Sequence, residues 1–178
     1  RLDEYPTLHP FEQVMQVNFM GQVYCTYHAL PHLKETQGRI VGVSSLGGLG
    51  GMPYNSSYTA SKHALHGFYD SLRTELAASG VSVTIICPGW VATEFHERVL
   101  LPDGSRRWGA SGRDFYSERT MTADTCARII LEAAAKRRRE VIMPPGKIGR
   151  WLKLLSPGLL EWVTMKMLLR ASKRGREN

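Results

Sequence analysis

A tyrosine and a lysine four positions apart carry the most specific chemistry in this sequence. Tyr58 and Lys62 belong to the run Tyr-Thr-Ala-Ser-Lys, near the start of a segment whose apolar residues recur at helical spacing. Residues four apart lie one turn apart on the same helix face, so the phenol and the ammonium group come together. A nearby cation favours phenolate, and we therefore expect Lys62 to lower the pKa of Tyr58 from about 10. Taken alone, such a pair is more often a plain exposed helix turn.

A phenol tuned in this way can move the proton of a hydroxyl group while a hydride arrives at, or leaves, the adjoining carbon. A serine is placed to assist. Ser45 directly follows residues 40–44, an apolar run typical of a buried parallel strand. Ligands of open α/β sheets bind at the carboxyl ends of the strands, so the Ser45 hydroxyl is positioned to hold a substrate oxygen.

The remaining segments alternate between helices and strands. Spacing predicts helices over residues 10–33, 57–79 and 122–136, and strands over 40–44, 81–87 and 140–143. The polar stretch 94–120 is typical of a mobile loop with short helices. Alternation within one chain predicts an α/β fold with a parallel sheet and right-handed crossovers.

Three strands make a short sheet for this class, and the first predicted helix has no strand before it. We therefore expect the chain to be the C-terminal part of a doubly wound, Rossmann-type domain, with further structure before Arg1. Within the chain, residues 1–146 form the catalytic part of that domain and residues 147–178 form an amphipathic, basic tail.

Three motifs in a fixed order resemble those of the short-chain dehydrogenase/reductase family. They are Val-Ser-Ser at 43–45, Tyr-Thr-Ala-Ser-Lys at 58–62 and Pro-Gly-Trp-Val-Ala-Thr at 88–93. The resemblance is strong from about residue 14 to residue 95 and does not extend to the tail. It implies an oxidoreductase that interconverts an alcohol and a ketone or aldehyde by hydride transfer, with NAD or NADP as cofactor.

The resemblance also implies roles for individual residues. Tyr58 is the catalytic acid and base, and Lys62 lowers its pKa and binds the nicotinamide ribose. Ser45 lies thirteen positions before the tyrosine, as the family's catalytic serine does, which leaves Ser44 a structural role. Asn18 matches an asparagine whose side chain holds a proton-relay water, although it is also readable as an ordinary polar helix residue.

Cofactor contacts are implied for the third motif. Pro88, Gly89 and Val91 would pass beside the nicotinamide and Thr93 would approach the pyrophosphate, whereas the plain alternative is a turn that ends a strand. The family's phosphate-binding glycine loop has no match in this chain. The glycines of residues 47–51 are followed by Met-Pro instead of a helix start, so we interpret them as a flexible loop, and the choice between NAD and NADP stays open.

Apolar side chains near the predicted site indicate the substrate class. Leu46, Met52 and Trp90 flank the serine and the third motif, and together with a general likeness to hydroxysteroid dehydrogenases they suggest a small apolar carbonyl or alcohol, steroid-like or lipid-like. His63 and His66 are the histidines closest in sequence to Tyr58, but such residues more often lie on a helix surface. We expect no metal.

The net charge of +7 is concentrated in the tail, where residues 147–178 carry eight basic and two acidic side chains. Tryptophan, leucine and lysine alternate there in two predicted amphipathic helices broken near residue 157. This composition is typical of helices in a membrane interface, and equally of helices that pack on another subunit or cap a substrate entrance. Oligomers are common in the family. The basic run 136–139 is better interpreted as a solvated helix end than as a nucleic-acid site.

Three widely separated cysteines predict a reducing compartment, so we expect a cytoplasmic protein with peripheral membrane contact as an option. No apolar run reaches the roughly 20 residues of a membrane-spanning helix, and no secretory signal is visible. The alternative to an enzyme is a non-catalytic, membrane- or partner-associated protein that retains a truncated fold of this family.

Overall fold

The computed structural model of the chain describes residues 2–95, 99–105 and 120–174, with side chains as far as residue 166. Its strands are β1 (Arg39–Val43), β2 (Ser82–Cys87), β3 (Val91–Ala92), β4 (Met121–Thr122) and β5 (Glu140–Ile142). Most of the loop predicted at 94–120 lies outside the described residues. The three predicted strands form one parallel sheet in the order β1-β2-β5, in which Gly42 pairs with Ile85 and Ile85 with Glu140.

The described residues form six α-helices. They are α1 (His9–Met15), α2 (Gly21–Glu35), α3 (Ser56–Glu75), α4 (Ala123–Ala135), α5 (Gly146–Leu155) and α6 (Pro157–Arg174). The long helix predicted at 10–33 is α1 and α2 joined through a π-helical turn, Gln16–Met20. Such turns insert one extra residue per turn and often mark functional sites.

The helices cover both faces of β2. On one face Leu65 and Tyr69 of α3 pack against Val83 and Ile85, and on the other Ile86 packs with residues of α4. At Gly42 an added Cβ would lie 2.2 Å from the Tyr69 ring, so α3 can approach β1 only because a glycine stands there. Helices on both faces of a parallel sheet confirm the predicted doubly wound α/β class.

Most helix boundaries lie within two residues of their predicted positions, and the end of α3 differs most. α3 ends at Glu75, earlier than predicted, and a short 3₁₀ turn carries the chain to Gly80, whose φ of 75° is the left-handed conformation that favours glycine. The break predicted near residue 157 is the start of α6, because proline is tolerated in the first turn of a helix. Of the described helices, none combines the length and the apolar character needed to cross a membrane.

The two tail helices contact the main part of the chain. Lys153 Nζ of α5 lies 3.3 Å from His63 Nε2 of α3. Leu160 of α6 lies against the glycine loop, where a Cβ on Gly50 would be 3.8 Å from its Cδ2.

Candidate active site

The two serines at the end of β1 point in different directions. Ser44 is buried, and its hydroxyl donates to the main-chain carbonyl of Lys62 over 3.3 Å, which ties the end of the strand to α3. Ser45 begins the following turn, where its Oγ accepts a hydrogen bond from the Gly47 amide at 3.2 Å. Successive side chains alternate across a strand, so the serine that faces the helix is structural and its neighbour is free to face the site.

The Ser45 side chain lies near the Tyr58 phenol and lowers its pKa. The glycine turn lies against the phenol ring, because a Cβ on Gly47 would be 3.3 Å from Cε1 of Tyr58. The ring of Phe95 flanks it at a centroid distance of 5.9 Å. The fold therefore brings the turn that holds the predicted catalytic serine against the predicted catalytic tyrosine at the carboxyl end of β1.

Lys62 lies below the same ring, with Nζ 5.6 Å from the ring centroid of Tyr58. Its ammonium donates to the carbonyl oxygen of Val43 over 3.0 Å, and burial lowers its pKa to about 8. Burial also raises the pKa of the Tyr58 phenol, an effect that the Ser45 side chain partly opposes. The direction predicted from the spacing of Tyr58 and Lys62, a lowered phenol pKa, is thus wrong for this arrangement, because burial is the largest influence on the phenol.

Asn18 lies in the π-helical turn and contacts α3 through Ser61. Its Nδ2 donates to Ser61 Oγ at 3.2 Å, and Ser61 Oγ donates in turn to the Tyr58 carbonyl at 2.7 Å. The Asn18 carbonyl accepts from Gln22 Nε2 at 3.1 Å. Asn18 therefore contacts the motif between the tyrosine and the lysine, and its role as a water ligand stays a prediction.

The segment after β2 runs beside these residues. The Pro88 carbonyl accepts the Leu46 amide at 3.1 Å, which joins the ends of β2 and β1. A Cβ on Gly89 would lie 2.7 Å from the Pro144 carbonyl oxygen, so the chain passes too closely there for any side chain. Val91 lies in β3, opposite Met121 of β4, a pairing that the sequence did not predict. Thr93 is exposed, and its Oγ1 accepts the amide of Phe95 at 3.4 Å.

The sequence model of one protein family matches more than half of this chain. A sequence model described as short chain dehydrogenase matches residues 3–102. The chain belongs to the short chain dehydrogenase family. It is 35% identical over 161 residues to a dehydrogenase/reductase SDR family protein 7-like of Dictyostelium discoideum, and 35% identical over 165 residues to human dehydrogenase/reductase SDR family member 7. Each alignment covers 90% of this chain and 48% of the relative.

A plant relative and a crystal structure agree with this assignment. The chain is 32% identical over 171 residues, or 94% of its length, to 11-beta-hydroxysteroid dehydrogenase A of Sesamum indicum, of which it covers 49%. It thus spans about half the length of the curated relatives it matches. A short chain dehydrogenase of Burkholderia cenocepacia, solved with NADP, superimposes with a TM-score of 0.68 at 22% identity over 84% of this chain and 56% of that one, which shows a shared fold.

The residues predicted to contact substrate occupy different places in this short chain dehydrogenase. Leu46 packs inward, since its side chain is the nearest neighbour of a Cβ built on Gly146 and also lies 3.6 Å from one built on Gly89. Met52 faces the site, with its sulfur 3.0 Å from a Cβ on Gly47, next to the Tyr58 ring. Trp90 is 44% exposed. Of the three, Met52 is the one that the structure places beside Tyr58.

The two histidines closest in sequence to Tyr58, His63 and His66, have their side-chain contacts outside the group of Ser45, Tyr58 and Lys62. His63 bonds the Thr59 carbonyl through Nδ1 at 3.0 Å. His66 lies behind the glycine turn, with Nε2 3.7 Å from Cys87 Sγ and Nδ1 3.7 Å from Glu140 Oε1. Among the described residues these three form the one group with metal-ligand chemistry. Glu140 is already paired with Arg150, and burial raises the pKa of Cys87 to about 12, so the thiol is protonated.

Sequence reasoning missed two residues that organise the site. Ser61 joins Asn18 to α3. Gln22 donates to the main-chain carbonyls of Asn18 and Val43, and it accepts a hydrogen bond from the Tyr69 hydroxyl at 3.0 Å. The sequence spacing of Ser61 and Gln22 could have indicated their positions. Gln22 follows Asn18 by four residues and Ser61 follows Tyr58 by three, the spacings at which helix residues share a face.

Proposed function

We propose that this chain supplies the acid–base machinery of an NAD(P)-dependent oxidoreductase that interconverts an alcohol and a ketone or aldehyde. The observation that carries the proposal is that the turn of Ser45 and Gly47 lies against the Tyr58 ring at the carboxyl end of β1, with Lys62 on the same helix beneath that ring. The three side chains lie at the sheet edge where ligands of such folds bind.

Each residue has a part in the reaction. Ser45 donates its hydroxyl hydrogen to the substrate oxygen and holds it beside the phenol. At neutral pH the phenol of Tyr58 is protonated, because burial raises its pKa, and it gives its proton to that oxygen during carbonyl reduction. In alcohol oxidation the proton returns to Tyr58. The ammonium of Lys62 stabilises the phenolate that forms, since the two groups lie on one helix face.

The donor groups fit a nicotinamide nucleotide. An ammonium and a phenol on one helix suit the hydroxyl groups of a ribose, and the segment at 88–93 passes beside them with Gly89 packed against backbone. Tyr58, Lys62, Pro88, Gly89, Val91 and Thr93 would hold the cofactor. When bound, the nicotinamide supplies or accepts the hydride. Support comes from the family of this chain and from the structural neighbour, which was solved with NADP.

An apolar substrate suits the surroundings of the phenol. Met52 and the Phe95 ring flank Tyr58, and the apolar Leu160 lies at the glycine loop. One of the similar relatives is named for an 11-beta-hydroxysteroid. We therefore propose a small apolar alcohol or carbonyl compound, with a hydroxysteroid as the first to be tried.

The proposal is tested in the protein as it occurs naturally, whether that is these 178 residues or a longer chain. Tyr58→Phe removes the reacting hydroxyl, and we expect it to lower the turnover of hydroxysteroids and apolar ketones by about 100-fold or more, measured as NAD(P)H absorbance. Tyr54→Phe removes the same group from a 63% exposed tyrosine four residues away and serves as the control. Equal turnover of the Tyr58 variant and the native protein would reject the mechanism.

The 178 residues by themselves are expected to bind NAD(P) weakly and to show no turnover. A glycine loop that holds a pyrophosphate is not among their motifs. Fluorescence titration of the chain with NADH and NADPH measures this, and tight binding would contradict it. The non-catalytic alternative gains support if the full-length protein is folded, binds neither cofactor and still recognises a membrane or partner.

A further inference from the structure

Two neighbouring surface cavities lie where the tail helix α5 packs beside β5. The first has a volume of about 520 Å³ and is lined by four arginines and two acids, Arg73, Arg138, Arg139, Arg150, Asp70 and Glu140. The second, of about 360 Å³, is lined by Ile142, Lys147, Trp151 and Leu154 together with Glu140 and Arg150. Glu140 and Arg150 line both cavities, so the first, cationic cavity adjoins the second, largely apolar one.

The first cavity is positively charged. Four guanidinium groups against two carboxylates leave a formal charge of +2. Arg73 pairs with Asp70 and Arg150 with Glu140, while Arg138 and Arg139 are exposed on the turn that precedes β5. Planar guanidinium groups suit phosphate oxygens, which they contact in pairs. A phosphate-bearing surface therefore fits this cavity.

The outer face of α5 is apolar next to those charges. Ile148, Trp151 and Leu155, at helical spacings of three and four, are 75%, 64% and 79% exposed. Leu154, on the cavity side, is 66% exposed. Exposed apolar groups of this size, rimmed by cations, mark an interaction surface, and tryptophan beside arginine and lysine is the composition of helices that lie in a membrane interface.

We propose that α5 and the adjoining arginine cavity form a docking site for the surface of an anionic phospholipid bilayer. Arg138 and Arg139 contact the phosphate headgroups, and the apolar face with Trp151 and Leu155 enters the interface. The arginines and α5 are separate in sequence, and the fold brings them to one place. The site does not depend on the proposed catalysis, and the anionic cytoplasmic leaflet is the surface that its charge matches.

Co-sedimentation of the whole 178-residue chain with vesicles tests this. We expect binding to phosphatidylcholine vesicles that contain about a third phosphatidylserine, and weaker binding to phosphatidylcholine alone or at high salt. The double variant Arg138→Gln, Arg139→Gln should lower the partition coefficient about tenfold. The pair Lys34→Gln, Arg128→Gln removes the same charge from exposed positions on α2 and α4, and it should bind nearly as well as the native chain.

The apolar contribution has its own variants. Trp151→Ala with Leu155→Ala should lower the partition coefficient about tenfold or more. The control is Leu131→Ala with Tyr27→Ala, which shortens two apolar residues outside the proposed site that are 70% and 72% exposed. This control should change the partition coefficient little. Circular dichroism checks the fold of each variant, and quenching of tryptophan fluorescence by bromine-labelled lipid reports insertion in the native chain.

Two results would overturn the proposal. The first is that the chain does not bind the anionic vesicles. This result would overturn the proposal even if the chain were found to bind an acidic protein. The second is binding that falls equally in the site variants and in their matched controls, because the tail and the net charge would then act without this surface. Salt-sensitive binding with bromine quenching supports it even where a variant fails to fold.

Discussion

Lys62 donates to the carbonyl of Val43 across 3.0 Å, and burial of its ammonium lowers the pKa to about 8 from an ordinary value of 10.5. Between about pH 8 and pH 10 the unfolded chain therefore holds more protons than the folded one, and the free energy of unfolding rises with pH. The full shift corresponds to about 3 kcal/mol. From about pH 9 the raised pKa of Cys87 acts in the opposite direction, and above about pH 10 the raised pKa of Tyr58 adds to it, so the rise from Lys62 levels off.

Replacing this lysine isolates its contribution. Lys62→Met keeps the length of the side chain without the charge, so it should be more stable than the native chain at pH 7 and should lose most of the rise with pH. Urea unfolding at several pH values measures both effects. Lys34→Met, at an exposed lysine of α2, should retain the rise. A stability difference between the native chain and Lys62→Met that stays constant between pH 8 and pH 10 would show that the ammonium is not buried at this cost, because the opposing effect of Cys87 is the same in both.

The hydrogen bond of Asn18 with Ser61 predicts a coupling between two helices. Asn18→Ala and Ser61→Ala should each lower the free energy of unfolding by about 1 kcal/mol, and the double variant should lose less than the sum, by about 0.5 to 1 kcal/mol. A double-mutant cycle from urea unfolding measures this coupling. Additive losses would mean that the 3.2 Å contact contributes nothing to stability.

Gly89 should not tolerate a methyl group. A Cβ there would lie 2.7 Å from the Pro144 carbonyl oxygen, and backbone on both sides resists the displacement. We expect Gly89→Ala to cost about 1 to 3 kcal/mol, measured by thermal or urea unfolding. Gly51→Ala is the matched control, because no atom lies within 4 Å of a Cβ at that position. Equal stabilities for the two variants would remove the steric argument.

The three cysteines should differ in reactivity. Cys25 is exposed, whereas Cys87 and Cys126 are buried and burial raises the pKa of Cys87 to about 12. The thiolate is the reactive form, so brief treatment of the folded chain with iodoacetamide at pH 8 should label Cys25 alone. Peptide mass spectrometry identifies the labelled residue, and denatured chain should label at all three. Rapid labelling of Cys87 in the folded state would contradict its buried position.

Much of the fold could be predicted because local patterns decide it. Apolar runs identified the three strands of the main sheet, and the order of the motifs identified the family that the comparisons then showed. The β3–β4 pair escaped prediction, since two-residue strands have no periodicity of their own. The end of α3 also escaped, because the chain leaves the helix through a 3₁₀ turn before the glycine that terminates it.

For the site, residue types and spacing alone indicated Ser45, Tyr58 and Lys62, because a strand end and one turn of helix are local geometries. Only the tertiary structure decided their electrostatics. The pKa of Tyr58 depends on how much protein surrounds the phenol, and burial reversed the direction that its spacing from Lys62 predicts. Contacts between distant segments were equally beyond sequence: the bond of Asn18 with Ser61, the inward packing of Leu46, and the meeting of Arg138 and Arg139 with α5 arise when separate elements pack together.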